Sequence, residues 1–218
     1  TTVGNISGAS LGKLTGKQLD LVGDITLTGS LGSLILDDIS EYVTITTGAE
    51  AAKGFSVKVD DIGDDVHFDI AGTVKKFQAT QFANGSIEAD NIGKVTVKEG
   101  SFNVDIEARN GDILGVTAYN IIGDITASGT IKKLTSKYEM LSGDIQAEEI
   151  GKITSAKDIT GDISTNGLIG KIISKSGDFT GAARAGANIG TIKAINLNDA
   201  IISAGTDIKK VSMKGNIF

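Results

Sequence analysis

Eleven copies of one short phrase run the length of this chain, an apolar residue, two small or basic residues, then a second apolar residue. Seven are clear: Leu11-Gly12-Lys13-Leu14, Ile92-Gly93-Lys94-Val95, Ile131-Lys132-Lys133-Leu134, Ile150-Gly151-Lys152-Ile153, Ile169-Gly170-Lys171-Ile172, Ile189-Gly190-Thr191-Ile192 and Ile208-Lys209-Lys210-Val211. Weaker copies fill the gaps at Leu31 to Leu34, Ala52 to Phe55, Val74 to Phe77 and Ile113 to Val116. Successive copies begin 18 to 22 residues apart, a period of about 20. A unit that short cannot close a core by itself, but a stack of units buries a continuous one.

A second phrase, Gly-Asp-Ile, follows each copy, as at Gly23-Asp24-Ile25, Gly123-Asp124-Ile125, Gly143-Asp144-Ile145 and Gly161-Asp162-Ile163. Looser versions are Gly85-Ser86-Ile87, Gly177-Asp178-Phe179 and Gly63-Asp64-Asp65-Val66. After the Ile comes one polar residue and then Ala, as in Ile125-Thr126-Ala127, the alternation of a short strand with one face inward. The Gly is expected to supply a positive φ at the corner, and the Asp to accept turn hydrogen bonds. Further apolar residues at Leu19, Leu21, Tyr138, Leu141 and Ile159 lie between the two phrases. No stretch has sustained helical spacing with caps.

The chain is therefore read as all-β: a single-stranded parallel β-helix, or β-solenoid, of 10–11 coils of about 20 residues, one domain over residues 1–218. The variable intervals favour a right-handed helix. Proline, which removes a ladder N–H, is absent from all 218 residues.

Composition narrows the function. The net charge of −6, with only Arg109 and Arg184 as arginines and no Trp, argues against a nucleic-acid surface. There is no Cys and one His, so thiolate and poly-His metal sites are excluded. No apolar run reaches the length of a membrane span. The chain opens at Thr1 without a methionine or signal-like segment and reads as a processed product or a piece of a longer solenoid.

Four features carry candidate chemistry. Asp124, Asp144, Asp162 and Asp178 are expected to stack along one corner, as calcium ligands or, in the favoured reading, as turn residues. The densest acidic run, Asp60, Asp61, Asp64, Asp65 and Asp69 with His67 among them, lies where the period is most disturbed. It is the best place for a weak Ca²⁺ site or an acid–base pair, although an exposed acidic loop is favoured; no other cofactor is expected. Lys13, Lys94, Lys133, Lys152, Lys171 and Lys210 are expected to align as a basic stripe, either a solvated face or a surface for anionic polysaccharide or lipid head groups. The in-phase ends, with Val3 and Ile6 at one and Ile217 and Phe218 at the other, show no cap; they suit head-to-tail stacking of copies or a cut through a longer stack. Residues 180–188, rich in Gly and Ala around Arg184, read as a surface bulge.

Gly4-Asn5-Ile6-Ser7-Gly8, Gly123-Asp124-Ile125-Thr126-Ala127 and Gly143-Asp144-Ile145-Gln146-Ala147 resemble the coils of bactofilins, bacterial β-helical polymers. That resemblance implies a non-enzymatic filament that binds no nucleotide. The chain's length and its Ile-Gly-Lys-Ile phrase look closer to repetitive prokaryotic surface proteins, adhesins and sheath components. The expectation is an extracellular structural or adhesive solenoid whose partners are copies of itself, end to end, and cell-surface polysaccharide. A carbohydrate-active β-helix and a bactofilin-like cytoskeletal polymer are the alternatives.

Overall fold

The computed structural model describes residues 1–215 as a parallel β-solenoid of about 11 turns, with coils about 19 residues apart and no helix. At about 4.8 Å per coil the rod is roughly 50 Å long. Three faces build each turn.

The first face is narrow. Two-residue strands at Thr2–Val3, Asp20–Leu21, Asp38–Ile39, Asp61–Ile62 and Gln81–Phe82 pair in parallel, and single bridges carry the column on through Ile121, Leu141, Ile159, Phe179 and Leu197. The second face is the strand of the Gly-Asp-Ile phrase. Its Ile residues stack in register, Ile6 on Ile25 on Ile45, then Phe68, Ile87, Ile106, Ile125, Ile145, Ile163, Ala183 and Ile202.

The third face is the opening phrase, and it stacks two apolar columns. Ile131, Ile150, Ile169 and Ile189 form one; Leu134, Ile153, Ile172 and Ile192 form the other. All eight are fully buried. A regular strand alternates its side chains, so two inward residues three apart require a bend at the pair between them. The glycine in that pair lets the backbone turn against its neighbour: at Gly170 a Cβ would run into the carbonyl oxygen of Gly151 in the coil before.

The disturbed period is absorbed without breaking the ladders. In the third coil the opening phrase is Phe55-Ser56-Val57, not Ala52 to Phe55; Phe55 pairs with Val74 and Val57 with Phe77, and Ala52 is exposed. In the next coil the second and third faces merge into one strand, Val66–Ala79, with a bulge between Ile70 and Thr73 where Gly72 has φ 84°. These longer coils are filled by larger side chains. Phe68, Phe77 and Phe82 pack mutually at ring-centroid distances of 5.0 to 6.1 Å, and Phe102 extends the group.

Three sequence expectations are corrected. Gly177-Asp178-Phe179 is not a Gly-Asp-Ile corner: Phe179 belongs to the narrow face, bridged to Ile159 and Leu197. The equivalent of Gly161-Asp162-Ile163 is Gly181-Ala182-Ala183. Residues 182–185 are a strand that continues the second face, not a bulge, because Ala183 occupies the Ile slot and Arg184 faces out. The glycines of the Gly-Asp-Ile corners do not have positive φ, apart from Gly85 of the looser Gly85-Ser86-Ile87 copy; the positive-φ glycines are Gly54, Gly72, Gly85 and Gly100. What the corners at Gly143, Gly161 and Gly181 require is closeness, since a Cβ on each would meet the carbonyl oxygen of the glycine one coil earlier.

Candidate functional site

The corner aspartates act between coils. Asp124 Oδ1 accepts the backbone N–H of Asp144 at 2.8 Å, Asp144 Oδ1 accepts that of Asp162 at 2.8 Å, and Asp162 Oδ1 accepts that of Ala182 at 2.9 Å. Asp105 does the same for Asp124, Asn5 for Asp24, and Asp24 for Thr44. Asp178 belongs to a separate column, accepting from Asn196 and receiving the carboxylate of Asp158 on its own N–H. Each carboxylate thus satisfies a backbone donor of the following coil where the ladder turns its corner.

Asp162 shows the electrostatic consequence. The Ala182 N–H, and then the Arg184 guanidinium 3.1 Å away, hold its carboxyl below the ordinary range. A depressed folded pKa contributes stability above the unfolded value of about 3.9, and that contribution is lost as pH falls through the folded one. Denaturation midpoints measured from pH 5 to pH 2 are expected to fall less steeply for Asp162→Asn, which keeps an acceptor oxygen but cannot be protonated in that window. An unchanged slope would contradict this role.

The acidic run at 60–69 does not converge. Asp60 and Asp61 sit at the corner of the narrow face beside Asp37, Asp38 and Glu99; burial, and then those like charges, raise the pKa of Asp61. Asp64 and Asp65 form the next turn, with Asp65 at φ 57°. Asp69 lies on the second face, 2.7 Å from Arg109 two coils away. Among the described residues no three His, Asp or Glu side chains are grouped so as to hold a metal.

His67 is flanked by Asp65 Oδ1 at 3.1 Å and Ser86 Oγ at 2.9 Å, with Glu88 Oε1 3.4 Å beyond the serine. The order of residue types is that of an acyl-transfer triad, but that chemistry also needs N–H donors aimed at a developing oxyanion. The strand carrying Ser86 is paired on both sides, to Val66–Ile70 and to Asn103–Ala108, so its backbone donors are engaged in the ladders. The row is best described as a surface link between two coils.

The predicted lysine stripe is one column. Lys13 stacks through Ser33 and Ser56 to Lys76 and Lys94, and Lys133, Lys152 and Lys171 are direct neighbours, followed by Thr191 and Lys210. The third-face segments of these strands carry twelve lysines and a single acid, Glu149; the two merged strands also hold Asp69, Glu88 and Asp90, on the second face or at the junction with it. None of the twelve forms an ion pair among the described residues. A chain of net charge −6 therefore presents one strongly basic sheet. No known protein family, curated protein or solved structure matches it. What the surfaces do must be argued from their chemistry.

At the first coil Val3, Ile6, Leu11 and Leu14 pack on the core but are only half-buried. At the last described coil Ile208 and Val211, inward-facing ladder residues, are 42% and 39% exposed. Ile217 and Phe218 lie outside the described residues. Two features escaped the sequence reading. Lys76 joins the basic column because it holds the third position of its phrase, in register with Lys94. Tyr119 and Tyr138, never in one phrase, stack across adjacent coils because each follows the third face by one or two residues.

Proposed function

We propose that this chain is a non-enzymatic structural and adhesive rod of the prokaryotic cell surface, which assembles end to end with copies of itself and holds an anionic polysaccharide along its lysine face. One observation carries the structural part: the apolar columns run through the described coils, shifting register only around the bulged fourth coil, so among the described residues the strands of the first and last coils are paired on one side only and share a three-sided outline. Such a contact is heterologous and does not close, so it propagates. The adhesive part rests on the segregation of charge, twelve lysines on one face without an ion pair among the described residues, which makes a linear polyanion the complementary ligand.

Gly12 provides a test of stacking. A Cβ there meets nothing within 4 Å, whereas one on Gly32, its counterpart one coil on, would run into the Gly12 carbonyl oxygen. Gly12→Val is expected to leave the stability of a single rod within about 0.5 kcal/mol and to block end-to-end stacking. Electron microscopy and sedimentation velocity at high protein concentration should show single-rod-width filaments for the parent chain and monomers for the variant. A parent chain that stays monomeric would sink the filament reading.

A further inference from the structure

One concavity has two aromatic side chains in its lining, Tyr119 and Tyr138. It is an open concavity of about 800 Å³ at the edge of the lysine face, where the third face turns toward the narrow one, and its lining includes Lys98, Glu99, Gly100, Tyr119, Asn120 and Tyr138. That volume is in the range of small-ligand sites. Three successive coils contribute: residues 98–100 from one, Tyr119 and Asn120 from the next, Tyr138 from the third.

The aromatic wall is built, not incidental. The Tyr119 and Tyr138 ring centroids are 5.2 Å apart at an interplanar angle of 38°, and Tyr138 N–H donates to the Tyr119 carbonyl at 3.0 Å. Lys137 Nζ lies 4.9 Å from the centroid of the Tyr138 ring. Asn120 is buried, and its Oδ1 accepts the Phe102 N–H at 2.7 Å, which fixes the amide at the base of the concavity. Glu139, on the rim, is neutralised by Lys157 at 2.7 Å; the same contact raises the lysine's pKa. Opposite Tyr119, Gly100 holds φ 74° and presents backbone without a side chain.

A phenol pair, Tyr138 exposed and Tyr119 half-buried, beside amide, carboxylate and ammonium groups matches a pyranose ring, which offers an apolar C–H face for stacking and hydroxyls around its rim. The lysine column passes this corner at Lys94 and Lys133, four residues before Lys98 and Lys137, so a sugar chain lying on that face reaches it. We propose that Tyr119, Tyr138, Lys98 and Asn120 form a saccharide subsite that takes one pyranose ring of an acidic polysaccharide. This rests on the adhesive reading of the lysine face and adds to it a fixed point of recognition that charge alone does not supply.

The chain's own composition provides the probe. It has three tyrosines and no tryptophan, so in a Tyr42→Phe background all tyrosine emission comes from this pair. Titration of that variant with a hyaluronan octasaccharide, whose uronate and N-acetylhexosamine units alternate, is expected to change the emission saturably. By calorimetry, Tyr119→Ala should bind about tenfold more weakly and Tyr119→Phe nearly as well as the parent. The proposal is overturned if emission does not respond, or if Tyr119→Ala binds as tightly as the parent. Replacing Lys133, Lys152 and Lys171 together by glutamate separates the two readings. If that variant loses binding while Tyr119→Ala does not, the lysine face stands and the subsite falls. If no form binds, both fall. Unchanged melting curves for the variants show that the rod itself is intact.

Discussion

Phe77→Ala is expected to destabilise the rod by about 3–5 kcal/mol. Phe77 is fully buried, meets Phe68 edge-on at 5.0 Å and stacks on Phe82 at 5.8 Å. It stands where the coil is enlarged by the bulge at residues 71–72, so its neighbours cannot close over the vacated volume without drawing in a strand of 14 residues. An Ile→Val change in the regular stack, at Ile131 for instance, removes one methylene from a narrow coil and should cost about 1 kcal/mol. A solenoid's stability is held largely in contacts between nearest coils. A cavity at the fourth coil therefore weakens the coupling between the coils before it and the coils after it. Hydrogen exchange followed by mass spectrometry should show amides at residues 20–62 losing protection ahead of those at residues 125–194. Denaturation in guanidinium should broaden or split. A loss below about 1.5 kcal/mol, with protection falling evenly along the chain, would show that the phenylalanine cluster is not the weak joint.

The sequence made the regular coils legible because their period lies in the residues that face inward. Ile150-Gly151-Lys152-Ile153 states its own geometry: two apolar columns, a bend and an outward base, as the structure has them. Gly177-Asp178-Phe179 was misread because two different corners use the same pair of residues. Only the partner in the next coil, Leu197 against Phe179, separates them, and that partner is a property of register. The aromatic fill of the third to sixth coils was equally hidden. Phe55, Phe68, Phe77, Phe82 and Phe102 are scattered along the chain, and what unites them is the larger cross-section created by extra residues. The saccharide subsite could not be read for the same reason: Lys98, Tyr119 and Tyr138 are brought together only by the stacking. Residues that repeat in phase announce a surface, as the lysines do, whereas a site made once from three coils leaves no period to find.

Gly161→Ala should cost about 3 kcal/mol, at the upper end of what overpacking usually does. The Cβ would fall on the carbonyl oxygen of Gly143, and the obstacle is backbone held in a ladder, not the end of a flexible side chain. Relief requires the two coils to separate. Separation strains the Asp144 carboxylate, which holds the Asp162 N–H at 2.8 Å beside that contact. The origin of the cost can be distinguished from backbone conformation. Were a positive φ the requirement, asparagine, which tolerates the left-handed region, would be better accepted than alanine. Because the requirement at Gly161 is closeness, Gly161→Asn should be at least as damaging as Gly161→Ala. At Gly100 the order should reverse: φ is 74° and an added Cβ comes no nearer than 3.5 Å to Gln81, so Gly100→Asn should be milder than Gly100→Ala. Urea denaturation of the four variants decides the matter. Asparagine milder than alanine at both positions would mean that the glycine column serves conformation, and that the coils of this rod are not held apart by its backbone alone.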